Sequence, residues 1–195
     1  MRPPPADDPR LPRRGNGLTR ALGRLALAAA GWRVEGRLPD APRLVIVVAP
    51  HTSNWDFLLG VAAMFALGVR VHWLGKDTLF RPPLGAVMRW LGGTPVDRST
   101  PQRAVAQVVA AFAAHERFVL GLSPEGTRRK IPAWRTGFYH IARGAGVPVL
   151  PVALDYARRR VTIFAAVPLT GDEPADLARL RAPFHAGMAR YPSQY

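Results

Sequence analysis

The chain contains no cysteine, which excludes a disulfide framework and any thiolate metal site and leaves the redox compartment open; any catalysis must use oxygen and nitrogen side chains. Lysine is almost as scarce. Only Lys76 and Lys130 occur among 27 basic residues, so nearly all the positive charge is guanidinium, whose planar fork donates in pairs to phosphate and carboxylate. A genome rich in GC would favour the same residues. Acidic residues number 13, leaving a formal charge of +14, and such a balance suits two large partners, nucleic acid and an anionic membrane surface. Long apolar runs are also missing. The first apolar segment, LTRALGRLALAAAGW (18–32), is interrupted by Arg20 and Arg24, which makes it too short and too charged to span a bilayer. The residues before it lack the continuous apolar core and small-residue cleavage site of a secretory signal. There is no internal repeat and no break in composition that would mark a second domain.

What is present divides into an arm and one domain. Residues 1–17 begin MRPPPADDPRLP, with five prolines in twelve positions, and read as a disordered basic arm; residues 18–195 read as a single domain. Within 18–32, Leu18, Leu22, Leu25 and Ala29 recur at helical spacing with Arg20 and Arg24 off that stripe. The pattern fits an amphipathic helix lying at a membrane interface and equally a helix packed on the domain. From Trp32 onward short apolar runs alternate with helical stretches. Strands are expected at 32–37, 43–49, 70–75, 94–97, 117–122, 147–154 and 160–167, and helices at 54–67, 83–91, 101–115, 137–144 and about 174–190. That alternation predicts an α/β fold, a mostly parallel central sheet flanked by helices, with reactive groups in the loops at the strand ends.

Three loops carry candidate chemistry. In APHTSNWDFLL (49–59) His51 and Asp56 are five positions apart, and on one helix they would face directions about 140° apart. They can meet only if His51 stays in the loop while Asp56 enters the first helical turn, with Ser53 or Asn54 as the N-cap. A carboxylate so placed fixes the imidazole tautomer and stabilises the imidazolium formed when a hydroxyl is deprotonated. His72 and Asp77 repeat the spacing, but His72 falls inside a strand-like run and reads as structural. His115, His140 and His185 sit in helical segments without an acidic residue at useful spacing. The second loop is SPEGTRRK (123–130). Pro124 and Gly126 enforce a turn, and Glu125, Thr127 and Arg128 supply an acceptor, a hydroxyl and a bidentate cation, a set suited to a phosphorylated polyol as well as to a solvated surface turn. The third, 75–99, brings Lys76 and Arg98 as possible anion contacts. Between them Leu79, Phe80, Leu84, Val87, Met88, Trp90 and Leu91 offer apolar surface for core, chain-like ligand or lipid.

Taken in order, HTSNWD, the segment GKDTLF through GGTPVDR, PEGTR and VPVLPVAL resemble the four motifs of the glycerolipid acyltransferases, the lysophosphatidic acid acyltransferases and their lysophospholipid-acylating relatives, over about residues 43–155. The resemblance implies the glycerol-3-phosphate acyltransferase-like form of the α/β fold. It implies His51 as the base that deprotonates the acceptor hydroxyl and Asp56 as the residue orienting it. The oxygen then attacks the thioester of acyl-CoA or acyl-carrier protein, with no metal, no cofactor and no covalent acyl-enzyme. Arg98 and Arg128, supported by Lys76, would hold the acceptor phosphate, and Glu125, Gly126 and Thr127 would shape the glycerol end. Backbone N–H groups after Ser53 could face the charge developing on the carbonyl. Ser123 and Arg129 depart from the residues usual beside PEGTR, and Arg135 stands where the family often has lysine, a change that affects bidentate geometry.

The expected partners are therefore a lysophospholipid acceptor, the acyl donor and an anionic membrane surface, with the protein peripheral or monotopic at the cytoplasmic face of the inner or plasma membrane. Each basic residue close to such a surface contributes about 1 kcal/mol. The competing reading from another class is a basic nucleic-acid-binding protein without acyltransferase activity, motivated by the net charge and the run Arg158–Arg160, although no recognised nucleic-acid motif accompanies them. A lipid-binding relative without catalysis is a third, disfavoured by the intact HTSNWD.

Overall fold

The computed structural model describes residues 10–96 and 101–195, with nothing said of the Pro101 side chain. In chain order the elements are α1 (Gly17–Ala29), β1 (Arg33–Glu35), β2 (Arg43–Ala49), α2 (Trp55–Leu67), β3 (His72–Lys76), α3 (Gly85–Trp90), β4 (Gly93–Val96), α4 (Pro101–Ala114), β5 (Phe118–Leu122), α5 (Gly137–Ala145), β6 (Val149–Asp155), β7 (Arg160–Ile163) and α6 (Glu173–Arg181). The seven strands form one sheet in the order β1-β7-β6-β2-β5-β3-β4. β6, β2, β5, β3 and β4 are mutually parallel, whereas β7 pairs antiparallel with β6 and β1 runs parallel to β7. Two reversed strands thus close one edge of an otherwise parallel sheet, a common arrangement in α/β folds.

The central strand β2 shows why the sheet is sandwiched. Successive side chains of a strand point to opposite faces. Leu44 and Ile46 enter the core shared with Leu27 of α1 and Leu59, Ala63, Ala66 and Leu67 of α2. Val45, Val47 and Ala49 enter the core built with Phe112 of α4, Phe138 and Tyr139 of α5 and Leu180 of α6. Burying each such aliphatic side chain is worth about 1.5–3 kcal/mol, so a sequence with no polar position from 44 to 49 is fixed with both faces covered. The register ties the reactive ends together: Val47 lies beside Leu122 of β5 and Pro151 of β6. The loops after β2, β5 and β6 consequently open on the same edge of the sheet.

The first helix packs on the domain through one face and leaves its leucine stripe exposed. Gly23 and Leu27 are its buried residues, and a Cβ on Gly23 would stand 2.5 Å from the Ala66 backbone nitrogen of α2, so the missing side chain is what allows the two helices to touch. Leu18, Leu22 and Leu25 point away from the domain, 55–67% exposed. Two expectations need correction. Residues 10–16, read as part of a disordered arm, pack on the domain: Leu11 is buried, Arg14 N–H donates to Gly68 O at 2.9 Å and Arg70 N–H to Pro12 O at 2.8 Å. One leucine reaching the core outweighs the prolines around it. Residues 1–9 lie outside the described residues. The last helix, expected to run to 190, stops at Arg181: Pro183 has no N–H with which to continue the hydrogen-bond ladder, and Phe184 then turns into the core.

Candidate active site

β2 ends at Ala49 and Pro50, and α2 begins at Trp55. In between, Ser53 Oγ accepts the Trp55 N–H at 3.2 Å, while the Asp56 carboxylate reaches back to accept the Ser53 N–H at 2.8 Å. This reciprocal pair starts the helix in the manner of a capping box, whereas the Asn54 side chain makes no capping bond. The same Asp56 oxygen, Oδ2, lies 3.0 Å from His51 Nδ1. The cap and the dyad are therefore one structure: Asp56 is held by the helix it starts and its carboxylate faces the loop histidine. The Asp56 side chain is 2% exposed and that of His51 29%, so the imidazole spans the boundary between core and solvent. With Nδ1–H donated to Asp56, Nε2 keeps its lone pair.

From the adjacent strand end, Glu125 enters beneath this loop. Its carboxylate Oε1 accepts the His51 backbone N–H at 2.8 Å, and the residue is buried. Burial pushes its carboxyl above the ordinary glutamate range, against the opposing pull of the His51 N–H. Sequence reading gave Glu125 a part in shaping the glycerol end; in the structure its carboxylate ties the first and third motif loops together. Gly126 has φ +64, and a Cβ there would lie 2.9 Å from Arg135 Cδ, so its open side is occupied by Arg135. Thr127 and Arg128 line a cleft of about 450 Å³ together with Thr52, Ser53, Asn54, Trp55, Arg129, Tyr191 and Gln194. Lys76 is exposed at the end of β3, on the same sheet edge. Arg98 lies outside the described residues.

Four backbone N–H groups around the start of α2 are already engaged within the loop and helix. Those of Asp56 and Phe57 donate to Ser53 O and Asn54 O, both at 3.3 Å, and those of Ser53 and Trp55 are engaged as above, so none of these four faces a developing oxyanion. The second His/Asp pair behaves as expected of a structural one. His72, within β3, stacks on Phe118 at 4.6 Å and is held below the ordinary histidine range by burial and by Arg70, while Asp77 pairs with Arg81 at 3.4 Å. His115 Nδ1 lies 2.8 Å from Ala111 O, and His140 lies 4.0 Å from Glu173, a proximity that spacing did not suggest. Of the run 158–160, Arg160 is paired with Glu35 and Arg158 lies 4.0 Å from Asp155. Among the described residues no group of three or more His, Asp or Glu converges as metal ligands would.

Two features escaped sequence reading. Tyr156, just beyond β6, donates its hydroxyl to Asp56 Oδ1 at 2.5 Å; the available signal was a lone tyrosine directly after the fourth motif strand. The segment following α6 supplies a wall of the cleft. Tyr191 N–H donates to Thr52 Oγ1 at 3.3 Å, and the Gln194 amide nitrogen reaches the carbonyls of Arg128 (2.6 Å) and Thr52 (3.1 Å). Nothing local in the sequence announces that bridging.

Comparison with known proteins supplies the family. The family model described as Acyltransferase matches residues 33–155. The proteins called 1-acyl-sn-glycerol-3-phosphate acyltransferase from Escherichia coli K12 and Salmonella typhimurium are each 32% identical over 165 residues, covering 80% of this chain and 65% of their own. The chain thus spans less than two thirds of the length of those relatives. The crystal structure of the 1-acyl-sn-glycerophosphate (LPA) acyltransferase PlsC from Thermotoga maritima superposes with a TM-score of 0.59 at 20% identity, covering 82% of this chain and 72% of that one, a likeness of fold. With the family match running from β1 to the end of β6, through the His51/Asp56 dyad and the Glu125 loop that supports it, the chain belongs to the acyltransferase family.

Proposed function

We propose that this chain moves a fatty acyl group from an acyl thioester, acyl-CoA or acyl-carrier protein, to a hydroxyl of lysophosphatidic acid or a related lysophospholipid. The observation that carries the reading is the contact of His51 Nδ1 with the buried Asp56 carboxylate at 3.0 Å, beside a cleft lined by arginine. His51 Nε2 takes the acceptor hydroxyl proton as the oxygen bonds to the thioester carbonyl carbon. Asp56 stabilises the imidazolium, the tetrahedral adduct collapses with loss of the C–S bond, and the departing thiolate recovers the proton from His51. The reaction needs no cofactor, since the acyl donor is itself a substrate. Arg128, with Thr127 beside it, is positioned for the acceptor phosphate; Lys76 and Arg98 join it on the strength of the motif pattern, Lys76 being at the correct sheet edge. Glu125 and Gly126 shape the glycerol end by fixing the two loops that border the cleft.

Attachment to an anionic membrane, at its cytoplasmic face in this reading, is peripheral. Among the described residues no helix is long and apolar enough to cross a membrane. Support for surface attachment comes from Leu18, Leu22 and Leu25 on α1 and from Leu79, Leu84, Val87 and Trp90 around α3, all exposed, while Phe80 and Leu91 of the same region are buried. The test is acyl transfer by the purified protein from labelled oleoyl-CoA or oleoyl acyl-carrier protein to a panel of lysophospholipids. His51→Ala is expected to lower the rate by about 10²–10⁴, and transfer by that variant at the wild-type rate would remove His51 as the base.

A further inference from the structure

Two oxygens of Asp56 are shared among three donors. Oδ2 takes His51 Nδ1 (3.0 Å) and the Ser53 N–H (2.8 Å), both from its own loop. Oδ1 takes the hydroxyl of Tyr156 at 2.5 Å, from a residue 100 positions later in the chain. Tyr156 is not free to leave. Its N–H donates to Met188 O at 2.9 Å, its ring meets Trp32 edge-on at 4.9 Å, and the Arg190 guanidinium lies 5.8 Å from its ring centre and 5.4 Å from that of Trp55. Burial and the neighbouring Asp56 carboxylate raise the phenol well above its ordinary range, so it remains a donor wherever the dyad operates.

We propose that Tyr156 is a positioning residue for the dyad: its hydroxyl holds the Asp56 carboxylate in the rotation that presents Oδ2 to His51 and sets how strongly that carboxylate stabilises the imidazolium. The inference rests on the general-base reading of His51. A carboxylate accepting a third hydrogen bond carries less charge toward its histidine. Without the phenol, more of the Asp56 charge falls on Oδ2, the imidazolium is favoured, and His51 requires a higher pH to become the free base. Glu125, through the His51 N–H, and Arg190, beyond the phenol, also face the pair; both remain when only the Tyr156 hydroxyl is removed.

The experiment uses the full chain, oleoyl-CoA and 1-oleoyl-lysophosphatidic acid, with Tyr156→Phe, which keeps the ring on Trp32. The acid limb of kcat/KM against pH is expected to move up by roughly one unit. kcat should fall about tenfold, with KM for either substrate changed less than about twofold. In histidine-labelled protein the His51 ring resonance, assigned by its loss in His51→Ala, should titrate at the same raised pH. Site-specific replacement of Tyr156 by 3-fluorotyrosine, a more acidic phenol with the hydroxyl retained, should move both readouts the other way, and it serves if the phenylalanine variant folds poorly. A His51 titration unchanged in both variants overturns the proposal, even if activity or thermal stability drops. If the titration shifts as expected but His51→Ala transfers acyl groups at the wild-type rate, the coupling stands and the general-base reading fails.

Discussion

A single backbone N–H shows how little separates a reactive loop from a slack one. His51 is held from below by Glu125 Oε1 and from the side by Asp56 Oδ2; neither Glu125 nor Asp56 has an appreciably exposed side. Glu125→Ala leaves the His51 N–H without that acceptor, which costs about 1–3 kcal/mol, and transfer activity is expected to fall at least about tenfold as the imidazole loses its fixed place. Glu125→Gln keeps an acceptor oxygen and should retain activity. Because burial raises the Glu125 carboxyl, the folded state favours its protonated form more than the unfolded chain does. The ionised form weighs on stability progressively as pH rises above the ordinary carboxyl range toward the raised folded value. The glutamine variant should therefore gain on wild type in urea unfolding at pH 7 more than at pH 4. Loss of activity in Glu125→Gln with stability intact would instead give the carboxylate a chemical role. At this scale the sequence showed which residues were special, since PEGTR and HTSNWD are visible as strings, but not that Glu125 serves His51. That fact depends on β2 and β5 being neighbours.

At the scale of elements, most boundaries follow from local physics. Seven strands were expected and, among the described residues, seven are found; β2, β5 and β6 at the centre are short apolar runs ended by proline, glycine or a polar cluster. β7 stops at Ile163 rather than 167, and the final helix ends early where Pro183 interrupts its hydrogen-bond ladder. Its start is unusually well specified. Asp172 caps α6 by accepting the Ala175 N–H. Asp176, within the first turn, is fully buried and accepts from the Thr170 and Gly171 backbone N–H groups and the Thr170 hydroxyl, beside the Arg179 guanidinium. Burial alone would raise this carboxyl, but Arg179 and those donors hold it down at about 2, against an ordinary value of 3.8. A depressed carboxyl stabilises the fold fully above the unfolded value and loses that contribution as pH falls from about 4 toward 2. Asp176→Asn should accordingly lower the urea midpoint at pH 7, with the difference from wild type shrinking below pH 4. A gap that stays constant over that range would mean that ionisation of Asp176 does not stabilise α6.

For the whole molecule, the exposed leucines of α1 are where the proposed membrane attachment can be tested apart from stability. Gly23 and Leu27 dock α1 on α2, while Leu18, Leu22 and Leu25 contribute nothing to the core. Replacing those three leucines by serine is expected to leave the thermal midpoint within a few degrees of wild type. Sedimentation with vesicles containing phosphatidylglycerol should drop severalfold at physiological salt, since the apolar and electrostatic contributions to surface binding add. Unchanged sedimentation would take α1 out of the membrane reading. Steep, salt-dependent binding to nucleic acid with no vesicle binding would favour the basic-protein alternative.

The amino-acid order by itself determined the alternation of strands and helices, the placement of His51 in a loop with Asp56 in the first turn, and the PEGTR turn. Those features depend on residues within one or two turns of each other, where periodicity, capping and proline act directly. The partners from distant parts of the chain were decided by the tertiary structure alone. Tyr156 reaches Asp56 across 100 residues, Gln194 bridges Thr52 and Arg128, and Leu11 leaves its proline-rich surroundings for the core. The first two of those contacts exist because the strands order themselves β6-β2-β5. That order is set by the burial of two apolar faces at once, to which residues from all along the chain contribute.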